Sequence, residues 1–355
     1  MPTSTASSDL AEALAERVRD AERRGGALTI VGGGTKAFYG RPAVGEALDV
    51  SGHRGVIAYE PSELVITARA GTPIMEIEAL LAQRDQMLAF EPPVFGPAST
   101  LGGVIAAGLS GPCRPFTGAV RDFVLGVTVL DGRGRALRFG GTVFKNVAGF
   151  DTFRLMAGAL GCLGVLLDVS LRVTPRPRSE RPLALEMNWS AASAVLDGLM
   201  RRPVPLSGAF HADGRLHLRL SGPEEGVARL AAELGGEAET AAIWEALRHM
   251  SLPRLRAARL WRVSVPRTAD LPERGGDQVM DWAGAQRWLA SDEPGAQPRA
   301  DAAAVGGHAT LFRGATGAEA VFTPLAPGLM ALHRRLKAAL DPAGVFNPGR
   351  MYEGL

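Results

Sequence analysis

Three glycine runs carry the residue types that can hold an anion. Gly32-Gly33-Gly34-Thr35 follows the apolar run at 28–31 directly. Consecutive glycines there expose unhindered backbone N–H groups, the arrangement that cradles a phosphate. Lys36 stands beside them, one of only three lysines in the chain with Lys145 and Lys337. A dinucleotide-binding GxGxxG would need glycine at 37, where Ala37 stands, and a P-loop would need a GK[ST] ending that is absent. Taken alone, the run reads equally well as an ordinary glycine loop. The second run, residues 100–111, contains Thr100, Gly102, Gly103, Gly108, Ser110 and Gly111. Each such glycine weakens a helix or strand by about 0.5–1 kcal/mol, so close backbone approach is the reason to look for. The third run, Gly158, Gly161 and Gly164, leads into an apolar segment at Val165, and Lys145 lies between the second and third.

These runs need elements to position them. Residues 9–24 read as an amphipathic helix with Leu10, Leu14, Val18 and Ala21 on one face, and with Asp9 and Glu12 as an N-terminal capping pair. Residues 28–31 form a buried strand and residues 64–70 a second. Thr72-Pro73 then caps a helix over 74–84 with Ile74, Ile77 and Leu81 inward. A hairpin joins 123–130 to 135–139, a short helix spans 152–159, and a strand spans 165–173. Residues 174–182, rich in Pro and Arg, read as an interdomain linker. Beyond it, strands at 216–220 and 260–265 alternate with helices at 227–234 and 241–247. Residues 292–304 read as a surface loop, and a last helix spans 329–340.

Composition narrows the function. With 355 residues, 39 basic and 37 acidic side chains, the chain has room for two cores and no charge bias toward nucleic acid. Cys113 and Cys162 offer no metal or iron–sulfur spacing and read as buried thiols. His211 and His217 lack a nearby carboxylate pattern, so no metal is expected. Neither a signal peptide nor a membrane-spanning run is present, and the expectation is a cytoplasmic protein. Trp244, Trp261, Trp282 and Trp288 read as core of the second half.

The run from Gly32 to Pro175 resembles the FAD-binding domain of the vanillyl-alcohol-oxidase/p-cresol-methylhydroxylase superfamily. Residues 35–42, 63–69, 121–126, 139–141 with 145–149, 306–310 and 341–352 are similar to one branch, the FAD-binding subunits of bacterial glycolate oxidase complexes. That resemblance implies an α+β, two-lobed flavoprotein: an FAD-binding domain over 1–175, a linker at 176–182, a sheet-and-helix cap or substrate domain over 183–325, and a tail, 326–355, returning to the FAD domain. It implies Gly32, Gly33, Gly34, Thr35 and Lys36 at the pyrophosphate. Thr100, Gly102, Gly103, Ser110, Gly111 and Gly118 would lie along the cofactor, with Gly161, Gly164 and Val165 at its flavin end. A His that attaches flavin in some relatives is absent from the first run, so FAD is expected to be noncovalent. Ala159-Leu160-Gly161-Cys162 stands where a Ser-Glu-Gly-Thr is common, removing an acidic contact.

Oxidation of glycolate or a related 2-hydroxy acid needs a cation for the carboxylate and a base for the hydroxyl. His308, Arg262 and Lys145 are the candidates. The alternative for His308 is a structural histidine, and for Arg262 an interdomain cation. The resemblance further implies a homologous FAD subunit and an iron–sulfur subunit as partners, with association at the inner face of the cytoplasmic membrane through them. Two rival readings remain: a self-sufficient FAD-dependent 2-hydroxyacid dehydrogenase of D-lactate type, and a non-catalytic electron-relay or structural subunit.

Overall fold

The computed structural model describes residues 8–142, 151–271, 278–291, 296–316 and 319–355. The first helix, α1 (Ala11–Arg24), buries Leu14, Ala15, Val18 and Ala21, as its apolar spacing requires. Its start differs from expectation. Leu10 is the cap residue, Asp9 accepts from the Ala11 N–H at 3.0 Å, and Glu12 pairs with Arg19 at 2.5 Å instead. Strand β1 (Leu28–Val31) pairs in parallel with β2 (Glu46–Asp49), and α1 packs across them onto Leu28, Leu48, Val165 and Phe346.

A five-stranded antiparallel sheet follows: β3 (Val56–Glu60), β4 (Val65–Arg69), β6 (Val124–Leu130), β7 (Ala136–Gly140) and β8 (Val165–Arg172), in the order β3-β4-β8-β6-β7. The small strands β5 (Gln86–Met87) and β9 (Thr174–Pro175) pair beside it. Helix α2 (Ile74–Ala82) buries Ile74, Ile77 and Leu81 against this sheet. Its cap is Pro73 rather than Thr72, whose hydroxyl accepts from the Gly55 N–H at 2.9 Å; the Ile74 N–H is taken by the Ser99 carbonyl at 2.8 Å. Three short helices complete this lobe: α3 (Leu101–Ala107), α4 (Arg114–Thr117) and α5 (Val120–Phe123).

The expected linker is largely strand. β10 (Ser179–Glu186) opens a sheet that contains eight strands among the described residues, ordered β13-β10-β12-β11-β15-β16-β14-β17. Its other strands are β11 (Leu206–Ala212), β12 (Arg215–Gly222), β13 (Glu237–Ala238), β14 (Leu260–Ser264), β15 (Gln278–Asp281), β16 (Gln286–Ala290) and β17 (His308–Arg313). Helices α6 (Trp189–Met200) and α7 (Glu224–Leu234) cover its outer face at one end. Helix α9 (Ala296–Ala304) lies near Trp261, Leu311 and the other apolar side chains of that face at the far end. Residues 296–304 are therefore helix rather than loop, because Ala302 finds an apolar face to bury against. The inner face, with α8 (Ala242–Arg248) at its edge, meets the first lobe. Tyr39, Leu109 and Leu160 join Phe210, Trp288 and Phe312 in one apolar cluster there.

The chain then returns. Helix α10 (Pro327–Leu340) buries Lys337, whose ammonium donates to the Cys162 carbonyl at 2.7 Å, the Phe346 carbonyl at 2.7 Å and the Asp341 carboxylate at 2.6 Å. Asp341, fully buried, also accepts from the Val345 and Phe346 N–H groups at 2.9 and 2.8 Å. A buried ion pair is tolerated only when its remaining bonding capacity is used, and here it is. Breaking one side strands the other charge in the core, at a cost of about 3–5 kcal/mol. Lys337→Met is expected to destabilise the fold by that amount in chemical denaturation. The same substitution at exposed Arg335, on the same helix, should shift stability by less than about 0.5 kcal/mol.

Candidate functional site

β1 delivers the first glycine run to the surface of the first lobe. Gly33 has no space for a side chain: a Cβ there would lie 1.5 Å from the Ala98 carbonyl oxygen. Gly34, at φ +67°, has nothing within 4 Å of a Cβ position and faces open space. Opposite stands the second run, where Thr100 caps α3 by accepting from the Gly103 N–H at 3.2 Å. The third run closes the far side. Gly161 is left-handed at φ +73°, and a Cβ on it would sit 2.6 Å from Asn347 Nδ2.

Between the runs lie two adjoining hollows, which share Ile30, Gly32, Gly103, Ala106, Leu160 and Asn347 in their walls. One is walled by Gly102, Gly161, Gly164 and apolar side chains. The other is walled by Gly32 to Ala37, Thr100 and Arg350. The groove therefore has an apolar end and a polar, cationic end.

Asn347 was not foreseen from the sequence. Its Oδ1 accepts from the Ile30 N–H at 2.9 Å and its Nδ2 donates to the Leu160 carbonyl at 2.6 Å, so the tail ties the first wall to the third. Arg350 and Ser99 were also missed. Arg350 donates to the backbone carbonyls of Arg41 and Tyr39 at 3.2 and 3.0 Å. Ser99 shares a 2.8 Å hydrogen bond with Thr35 and accepts from Lys36 at 3.5 Å. No pattern in the sequence pairs these residues, because each acts on a segment far away in the chain.

Lys36 makes no ion pair among the described residues. Burial alone pushes its ammonium down to about 8, so its charge is poorly solvated and uncompensated. Burial pushes Arg350 down as well. Two such cations at the rim of a glycine cradle suit a pyrophosphate.

The other expected residues divide. Gly32, Gly33, Gly34, Thr35, Lys36, Thr100, Gly102, Gly103, Gly161 and Gly164 all line the groove. Ser110, Gly111 and Gly118 do not. Ser110 accepts from the Val120 N–H at 2.9 Å, Gly111 packs against Glu91 where the lobes meet, and Gly118 turns against Asp122 and Phe123. Val165 is fully buried in the core beneath. Lys145 lies outside the described residues.

On the second lobe, β14 pairs with β17 so that Arg262 opposes Thr310 and Ser264 opposes His308, all facing the first lobe. Arg262 donates to the Tyr39 hydroxyl at 3.1 Å, across the lobes. His308 is exposed at the start of β17, and partial burial of its ring followed by the Arg262 charge holds it below its ordinary value, which favours the neutral form. His211 and His217 serve structure: His211 bonds the Met187 carbonyl at 2.9 Å, while His217 bonds Glu239 at 2.8 Å and stacks on Phe210. All four tryptophans expected in the core are buried, and Trp282 also donates to the Gly111 carbonyl at 3.0 Å. Cys113 and Cys162 are buried, and burial pushes Cys113 up to about 11, which leaves it a thiol.

A two-lobed fold with a glycine-walled groove of this kind defines an FAD-binding oxidase, and comparison agrees. The FAD binding domain family matches residues 7–140, and the C-terminal domain of FAD-linked oxidases matches residues 314–351. Glycolate oxidase subunit GlcE of Escherichia coli is 46% identical over 98% of this chain and 99% of its own length. This chain belongs to the GlcE family. Glycolate oxidase subunit GlcD of Bacillus subtilis is 30% identical over 40% of the chain, covering 30% of its own length. Among solved structures, an alkyldihydroxyacetonephosphate synthase shares the fold at a TM-score of 0.68 and 14% identity, over 95% of this chain and 75% of that one.

The cradle has consequences for flavin binding. Gly33→Ala should abolish flavin retention while leaving far-UV circular dichroism intact. FAD affinity should be flat below pH 8 and fall by up to about tenfold per pH unit above it, as unliganded Lys36 loses its proton. Lys36→Met should remove that slope in a fluorescence titration.

Proposed function

We propose that this chain is the FAD-binding subunit of a glycolate oxidase complex and oxidises glycolate to glyoxylate. End-to-end similarity to GlcE carries this reading. The groove fits the cofactor: Gly32, Gly33, Gly34, Lys36 and Arg350 hold the pyrophosphate, and Gly102, Gly103, Gly161 and Gly164 bring backbone close along the rest. The loop offers Thr35 and Lys36 rather than a histidine, so FAD is noncovalent. Bound FAD supplies the two-electron acceptor for the substrate C–H bond. Arg262 neutralises the substrate carboxylate. His308, held below its ordinary value by partial burial and the Arg262 charge, takes the hydroxyl proton. The apolar cluster of Tyr39, Phe38, Phe95 and Phe312 excludes water between the lobes.

Electrons leave through partners. A homologous FAD subunit and an iron–sulfur subunit receive them, and the complex associates with the inner face of the cytoplasmic membrane through those partners. Among the described residues no helix is long and apolar enough to cross a membrane.

A second reading, an electron relay without substrate chemistry, draws on the missing acidic residue at Leu160. Reconstitution of the complex separates them. If this subunit is catalytic, His308→Ala lowers glycolate-dependent dye reduction by about 10²–10⁴-fold with flavin content unchanged. Unchanged turnover in that variant sinks the catalytic assignment, and a chain that binds no FAD sinks the whole reading. Turnover of glycolate or D-lactate by the isolated chain would make it a self-sufficient dehydrogenase.

A further inference from the structure

The apolar side of α10 is covered at one end and bare at the other. Leu329, Leu332, Leu336 and Leu340 recur at the spacing that places them on one side of a helix. Toward the C-terminus that side is used: Leu340 is buried and Leu336 packs on the core of the first lobe. Toward the N-terminus it meets water, with Leu329 45% and Leu332 51% exposed. Only Lys337 and Leu340 in this helix are buried, although a helix of its length draws most of its stability from packing an apolar face. The stripe leads into a groove. Leu336 and His333 line it together with Leu155, Leu163, Met351 and the backbone of 157–159. Leu155 is 45% exposed there, while its neighbours Phe153 and Met156 are buried.

Ala159 lines both this groove and the apolar hollow of the cofactor groove, so one backbone segment divides the two. That segment is pinned to α3: the Gly158 N–H donates to the Ile105 carbonyl at 3.0 Å and the Leu160 N–H to the Ala106 carbonyl at 2.9 Å. The charges at the rim decide what can cover the groove. Arg121 and Arg154 line it, and Asp122 and Asp151 meet them at 3.9 and 3.1 Å. Arg334 and Arg335, exposed on the two flanks of the leucine stripe by helical spacing, have no carboxylate partner among the described residues. A second copy docked by this same face would bring these cations onto one another, which like charge disfavours. A bilayer could take up Leu329 and Leu332, but it presents no ridge to enter a groove. What fits is a protein ridge, apolar along its crest with Asp or Glu beside it.

We infer that the groove between α10 and residues 155–163 docks another subunit of the complex through an apolar helix flanked by acidic side chains. This rests on the reading of the chain as one subunit of a glycolate oxidase complex. The docked subunit lies against the back of the segment that walls the apolar end of the cofactor groove.

The test is co-expression of the tagged full chain with the homologous FAD subunit and the iron–sulfur subunit, followed by subunit stoichiometry after affinity purification. Circular dichroism and flavin content of each variant check its fold. Leu332→Glu and Leu155→Glu are each expected to lower partner recovery by roughly tenfold or more at unchanged flavin content. Arg335→Glu should lower it by about threefold or more, and Arg335→Lys should keep it. Met75→Glu, which alters a comparably exposed side chain on α2, should match wild type. Full recovery in the leucine variants overturns the docking site and leaves the complex standing. A wild-type chain that recovers neither subunit overturns the site together with the complex reading. If the chain alone is a dimer that Leu332→Glu dissociates, a second copy covers the face. If Leu332→Glu abolishes sedimentation with phosphatidylglycerol vesicles and keeps both partners, a bilayer does; either result overturns the assigned occupant. Should Leu155→Glu misfold, the Leu332→Glu chain, altered at a solvent-exposed position, decides.

Discussion

A single buried ammonium sets the position of the groove. Lys337 ties the carbonyl that follows Gly161 to the carbonyl that precedes Asn347, and Asp341 fixes the turn between them. Phe346 then lies alongside Leu28, and Asn347 reaches both Ile30 and Leu160. The first and third glycine runs lie far apart in the chain, and its last residues tie them together by hydrogen bonds beyond the shared core under α1. A groove that must hold a long dinucleotide against backbone needs that separation fixed, because a Gly-rich wall has little side-chain packing of its own.

Charge follows the same division of labour. Many buried or half-buried arginines are engaged, either by carboxylates, as in Arg219 with Glu91 and Arg259 with Glu319, or by backbone carbonyls, as in Arg313. Lys36, Arg114 and Arg262 are different: among the described residues their cationic groups meet neither a carboxylate nor a backbone carbonyl. Burying a cation without one is unfavourable, so such groups mark places where an anion is expected. Lys36 marks the polar end of the groove, and the two arginines mark the surface where the lobes meet.

Much of the fold was legible because apolar spacing reports burial. The faces of α1 and α2, strand β1, the hairpin of β6 and β7, and the buried start of β8 all follow from it. The failures have physical causes. Residues 174–182 read as a linker by their Arg and Pro content, yet Ser179–Glu186 form β10, with Glu180 and Arg181 exposed while Leu183 and Ala184 pack inward. Residues 296–304 lack periodicity of their own, and tertiary contact makes them helix. At the site, glycine density pointed to the groove, but it could not tell Gly102, which lines it, from Gly111, which lets Glu91 approach. Lys337 drew notice by rarity alone. Its work, like that of Asn347, depends on carbonyls brought close only by the finished fold.

The returning tail completes the cofactor groove, and the flavin stoichiometry of an Asn347→Ala chain, purified in parallel with wild type, checks this at its source. Wild type should carry stoichiometric, releasable FAD. The variant should retain its circular dichroism while losing most of its flavin. Full flavin occupancy in a folded Asn347→Ala chain would mean that the groove forms without the tail.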